Sequence, residues 1–167
     1  LEIFLFRPGR EANLPLDIYG VRYPAEALAT LDRYGVRYHG WAPNAAAPEI
    51  FARHMATVHV PRRFYTTMLP GIPTIRVFEA LACGIPLVSA PWQDSEALFR
   101  PGDFLFARDG AEMTARLRDL AHDADLRAAL VAHGLETIRA CHTCAHRAQE
   151  LLSIAGTLGL NHGASAA

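Results

Sequence analysis

Short apolar runs closed by glycine or proline alternate along this 167-residue chain with longer stretches of helical period, and that alternation constrains the fold more than any other feature. Leu16–Tyr19 before Gly20, Val36–His39 before Gly40, Thr57–Val60 before Pro61, and Ile85–Ser89 have the length and composition of strands, with Phe104–Phe106 a weaker one. Between them Pro24–Tyr34 opens on proline and stops at Gly35, and Ala47–Met55 and Thr74–Cys83 read as two further helices. Strands that alternate with helices build strand–helix–strand units, and such crossovers leave the strands parallel. The expected fold class is α/β, a parallel sheet flanked by helices.

From Ala111 onward the pattern is helical throughout. Met113, Leu117 and Leu120, then Leu126, Leu130 and Ile138, keep one apolar face, with a break at Asp123 or Asp125. Leu1–Phe6 reads as a helix end, since a signal peptide's basic opening and small-residue cleavage site are missing. Residues 1–155 are expected to form one domain, part of a larger two-domain protein, and the Gly/Ala/Ser-rich segment 156–167 a flexible tail.

Composition narrows the chemistry. A net charge of −1, 51% hydrophobic residues and no apolar run of membrane-spanning length point to a globular chain, with neither nucleic acid nor a membrane span as partner. All 16 basic residues are arginine, so a lysine Schiff base or a Walker-type lysine is impossible within this chain. Three cysteines, Cys83, Cys141 and Cys144, are too few to staple a chain of this size, which favours a reducing compartment and a cytoplasmic location.

In an open parallel sheet, ligands bind beyond the carboxyl ends of the strands, where loops lead into helix N-termini. The segment Val60–Pro91 holds the best such place. It runs from a strand through Arg62-Arg63 and a loop with Pro70-Gly71-Ile72-Pro73, then into a helix that opens near Thr74 and closes at Gly84. Free amides at Thr74 and Ile75 and the helix dipole would attract an anion. The window Ile50–Phe78 carries Arg53, Arg62, Arg63 and Arg76 without one acidic residue, so a diphosphate suits it, although a solvated basic face has the same composition. Glu79 follows Arg76 by three residues. It can accept both hydroxyls of a ribose or merely pair with Arg76, and spacing alone leaves both readings open.

The string Thr74-Ile75-Arg76-Val77-Phe78-Glu79-Ala80-Leu81-Ala82-Cys83-Gly84-Ile85-Pro86-Leu87-Val88 resembles the nucleotide-sugar segment of GT-B glycosyltransferases. Arg76-x-Phe78-Glu79, Tyr19-Gly20, His39-Gly40-Trp41 and His142-Thr143-x-x-x-Arg147 resemble, more narrowly, the CgeB-type branch, and the likeness spans about Leu14 to Leu152. It implies a Rossmann-like C-terminal half of a GT-B fold, binding a nucleotide-diphosphate sugar as donor substrate, with no metal or other cofactor. By the resemblance, Glu79 holds the ribose, the Thr74 and Ile75 amides meet the diphosphate, Arg62 and Arg76 lie beside it, and Gly40-Trp41 lie by the base. The acceptor, a glycan, protein or small molecule, and any catalytic base would belong with an N-terminal GT-B domain, so no catalytic residue is named in this chain. One departure stands out: many relatives carry a second glutamate eight residues before Glu79, where this chain has Gly71. A non-catalytic nucleotide- or sugar-binding module that kept the half-fold is the alternative.

Cys141-His142-Thr143-Cys144 has the spacing of one zinc-ligand pair, but no second pair exists, so no metal is expected. The resemblance makes Thr143 the N-cap of the final helix, with Arg147 reaching back. His54, His59, His122 and His133 read as structural or exposed, and Trp92 either packs or meets the donor sugar.

Overall fold

A computed structural model describes residues 1–69 and 71–159. A turn of π-helix, Glu2–Phe6, runs into α1 (Arg7–Glu11). There follow β1 (Asp17–Tyr19), α2 (Ala25–Arg33), β2 (Arg37–Gly40), α3 (Ala47–Ala52), β3 (Thr57–His59), α4 (Arg63–Thr67), α5 (Ile75–Ala82), β4 (Leu87–Ser89) and β5 (Leu105–Phe106). Three helices close the chain: α6 (Gly110–His122), α7 (Ala124–Cys141) and α8 (Cys144–Thr157). Each expected strand and helix is present, and all strand pairings are parallel.

The strands form two sheets instead of one, β1–β2 and β3–β4–β5. The pairing of β1 slips between Ile18 and Tyr19, and its free edge is tied to the second sheet by side chains. The Asp17 carboxylate, at the start of β1, accepts from His54 Nε2 at 3.2 Å, just ahead of β3. It also receives Arg37 Nε and Nη2 at 2.9 and 2.5 Å and a bond with His39. Arg37 lies opposite Asp17 in the ladder and His39 two residues further, where the strand period of two returns the side chain to the same face. The Arg37 guanidinium, followed by the two imidazoles, holds the Asp17 carboxyl well below the usual carboxylate range against the opposing effect of burial.

Three apolar groups form the core. Val77, Leu81, Leu87, Phe99 and Phe104 gather under α5; Val88, Met113, Leu117, Leu120 and Leu130 lie between β4 and the α6–α7 pair; Phe6, Ile18, Leu31 and Val36 lie beneath β1 and β2. The helices start as their caps dictate: Asp109 accepts from Glu112 N, Asp123 from Leu126 N and Thr143 from His146 N. Asp123 is thus the break between the long helices, and Arg147 reaches back to Cys141 O at 2.8 Å.

Two expectations need correction. The segment after Arg62 is not all loop, because α4 forms there with Arg62 as its N-cap. Phe64, Tyr65, Thr66 and Thr67 have modest helix propensity, which hides a single turn held by the Thr66 and Thr67 hydroxyls bonding Arg63 O. α8 continues through Thr157, two residues into the segment expected as a tail, and residues 160–167 lie outside the described part.

Candidate functional site

His59 and Ser89 are neighbours across the β3–β4 ladder at the carboxyl ends of both strands. His59 Nδ1 meets Ser89 Oγ at 2.9 Å, and Ser89 Oγ donates to Ala90 O at 2.9 Å, so the histidine is the donor to Ser89. Its Nε2 therefore accepts, and Thr74 Oγ1 donates to it at 2.8 Å. Burial pushes the His59 imidazole down to about 4, so it is neutral at pH 7.

Thr74 is the N-cap of α5, with the extended backbone of that position, yet its hydroxyl bonds no amide of its own helix. The amides of Thr74, Ile75 and Arg76 have no acceptor among the described residues, and Val77 N alone turns back to Thr74 O at 3.2 Å. The helix that follows is amphipathic: Val77, Ala80 and Leu81 face the core, while Ile75 and Arg76 are exposed. Glu79 keeps a quarter of its side-chain surface exposed, 26%, and its Oε2 accepts from Arg76 Nη1 at 2.5 Å. Its Oε1 has no partner among the described residues.

The arginine window is less uniformly positive than its composition indicates. Arg76 is paired with Glu79, and Arg53 lies 3.7 Å from Glu49, both acids standing just outside the window. Arg62 and Arg63, exposed at the end of β3, carry no ion pair among the described residues. Gly40 closes β2, accepting Gly20 N at 2.7 Å, so the loops after β1 and β2 are tied side by side. Trp41 follows with 72% of its surface exposed.

Trp92, in the loop after β4, packs edge-on to His59 and Phe99 with ring centroids at 6.4 and 6.2 Å. Its indole nitrogen is buried without a hydrogen-bond partner among the described residues. Gly71 has φ of +92°, and a Cβ there would lie 2.3 Å from Ser95 Oγ, so both backbone and space are set for glycine at the position where the resemblance implies a glutamate in many relatives. Neither Trp92's unpaired nitrogen nor the link from His59 to Thr74 was legible in the sequence, because each depends on loops meeting across the sheet. Two surface hollows, of about 610 and 370 Å³, lie away from these residues, the first at the α6–α7 junction and the second beside Leu16 and Tyr34. Among the described residues no group of three or more His, Cys, Asp or Glu is placed to hold a metal, and no helix is long and apolar enough to cross a membrane.

Parallel strands with helices between them, and a helix N-terminus left open at the strand ends, define a Rossmann-like domain. The sequence profile of the glycosyl transferase-like family matches residues 3–153, and the chain belongs to that family. Solved structures share the fold. The β-glucosyltransferase of T4 phage, in complex with its UDP-glucose substrate, is 17% identical with a TM-score of 0.61, covering 80% of this chain and 42% of its own. Anabaena HepE, in complex with UDP and glucose, is 15% identical with a TM-score of 0.69, covering 90% and 44%. WaaG, a glycosyltransferase involved in lipopolysaccharide biosynthesis, is 16% identical with a TM-score of 0.57, covering 78% and 37%. The chain spans less than half the length of each. No curated protein matches it in sequence.

Proposed function

We propose that this chain is the donor half of a glycosyltransferase, binding a nucleotide-diphosphate sugar for transfer to a glycan, protein or small-molecule acceptor held by an N-terminal domain. The observation that carries the reading is the open first turn of α5, with Glu79 behind it and the unpaired Arg62 across the loop. Amides and an arginine supply charge-assisted bonds to the diphosphate and a developing phosphate leaving group, which is the work a divalent ion does elsewhere, so the mechanism is metal-independent. Glu79 Oε1 is free to accept from the ribose, and Gly40-Trp41 offer backbone groups and an indole face to the base. Family membership and the UDP-sugar complexes of similarly folded proteins support the same donor class.

Calorimetry of the chain with UDP, GDP, ADP and dTDP tests it. Binding by at least one is expected, and no binding at millimolar concentration overturns it. The alternative, a binding module without transfer, is favoured by Gly71, whose place near the sugar admits no acidic side chain. Nucleotide affinity without donor turnover by the complete two-domain protein would establish that alternative.

A further inference from the structure

A threonine at the N-cap of a helix ordinarily accepts from the second or third amide of that helix, as Thr143 does at the start of α8. Thr74 has the backbone for the same bond and does not make it; its hydroxyl is turned toward His59 instead and donates there at 2.8 Å. His59 is itself fixed. It is buried, 5% exposed, and its other nitrogen is held by Ser89, whose hydroxyl is anchored on Ala90 O. The chain Thr74–His59–Ser89–Ala90 thus runs in one hydrogen-bond direction from the start of α5 into the ends of β3 and β4. Beside it lies a second unsatisfied group, the buried indole N–H of Trp92, whose ring stands edge-on to the His59 ring. A buried donor without an acceptor is rare in native proteins.

We propose that His59 is a positioning residue for the donor's diphosphate: by holding the Thr74 hydroxyl, it prevents α5 from capping itself and keeps the Arg76 amide, next to the open amide of Ile75, available for phosphate oxygens. This rests on the reading of α5 as the diphosphate site and adds to it the group that maintains the site in the free protein. The histidine touches no substrate. Its effect passes through Thr74, and its advantage is preorganisation, since an uncapped turn need not give up an internal bond when the ligand arrives.

The test uses His59→Phe, which removes the acceptor, and His59→Asn, which retains a group for Ser89 but is too short to reach Thr74. His59→Gln, which places an acceptor near the old Nε2 position, is the conservative control. In the ligand-free protein, amide hydrogen exchange at Arg76 and Val77 should slow in the Phe and Asn variants as Thr74 turns to cap the helix, and stay at the parent rate in the Gln variant. UDP and inorganic pyrophosphate, measured by calorimetry, should bind tenfold or more weakly to the Phe and Asn variants. Adding Thr74→Val to either should recover most of that loss, because valine cannot cap. Unchanged exchange overturns the clamp. Slowed exchange with undiminished pyrophosphate and UDP affinity retains the clamp but shows that the diphosphate does not use this turn, which overturns both the positioning role and the site reading behind it. Failure of Thr74→Val to recover binding in a variant that melts like the parent reduces His59 to a packing residue. If His59→Phe does not fold, the Asn and Gln pair decides alone.

Discussion

Glu79 meets Arg76 through Oε2 and leaves Oε1 free, so a ribose hydroxyl can be accepted without breaking the ion pair. Glu79→Gln keeps the shape and weakens the acceptor. Charge-assisted bonds contribute about 1.5–3 kcal/mol, so nucleotide affinity should fall roughly tenfold or more. Melting temperature should hardly move, because an exposed i,i+3 pair contributes only about 0.3–0.5 kcal/mol. Calorimetry and thermal denaturation of the same variant check both halves; unchanged affinity with a large loss of melting temperature would reveal a structural carboxylate instead. His59 gives a second expectation at this scale. Its folded value of about 4 lies below the ordinary 6.5, so the unfolded chain binds a proton that the folded chain refuses. The associated stability is complete above pH 6.5 and is lost as pH falls from 6.5 toward 4, by up to about 3 kcal/mol. Urea denaturation of the parent and His59→Gln at pH 7, 5.5 and 4.5 should show the steeper loss in the parent; equal slopes would mean that His59 takes up its proton in the folded state as readily as in the unfolded one.

Among the elements, α5 is the one whose two ends serve different purposes. At its far end Gly84, at φ +68°, lets Ile85 N reach Ala80 O and Gly84 N reach Leu81 O, the paired bonds that terminate a helix and turn the chain into β4. The near end is left open. That asymmetry was half visible beforehand, since glycine is the common stop signal, while nothing in Thr74 itself tells whether its hydroxyl will cap or be drawn away. The α7–α8 junction shows the same limit. Cys141 ends α7 and Cys144 begins α8, both exposed. The neighbouring histidines each use one ring nitrogen locally, His142 Nε2 with Leu98 O at 2.7 Å and His146 Nδ1 with Thr143. Two thiols fall short of a structural zinc set, and among the described residues no group of three or more His, Cys, Asp or Glu gathers to complete one. Elemental analysis of the purified protein should find no stoichiometric zinc, and one zinc per chain would contradict this account of the junction.

For the molecule as a whole, long-range pairings hold the N-terminal turn in place. Thr114 Oγ1 bonds Glu11 Oε2 at 2.9 Å and Arg118 bonds Glu11 O at 2.6 Å, joining α1 to α6 across more than a hundred residues. Such a frame can present a donor site without supplying the rest of an active centre. The 1–167 chain alone is therefore expected to bind a nucleoside diphosphate while transferring no sugar from a nucleotide-sugar donor, measured by release of nucleotide in a coupled assay with and without candidate acceptors. Turnover by the chain alone would show that the catalytic groups lie within these residues.

The order of strands and helices, the stop at Gly84, the opening of a helix near Thr74 and the placing of Glu79 one turn inside it were all determined by the sequence itself. Helix periods, caps and glycine conformations act within four or five residues, and strand runs declare themselves by composition, so neighbours along the chain carry that information. Tertiary structure alone decided that the strands form two sheets joined by Asp17 and His54, that Ser95 fills the space above Gly71, and that His59, read as structural or exposed, bonds the hydroxyl at the open end of α5. The partners in those contacts stand between 15 and 37 residues apart, and are brought together by loops whose closure has little to do with the identity of the side chains that meet.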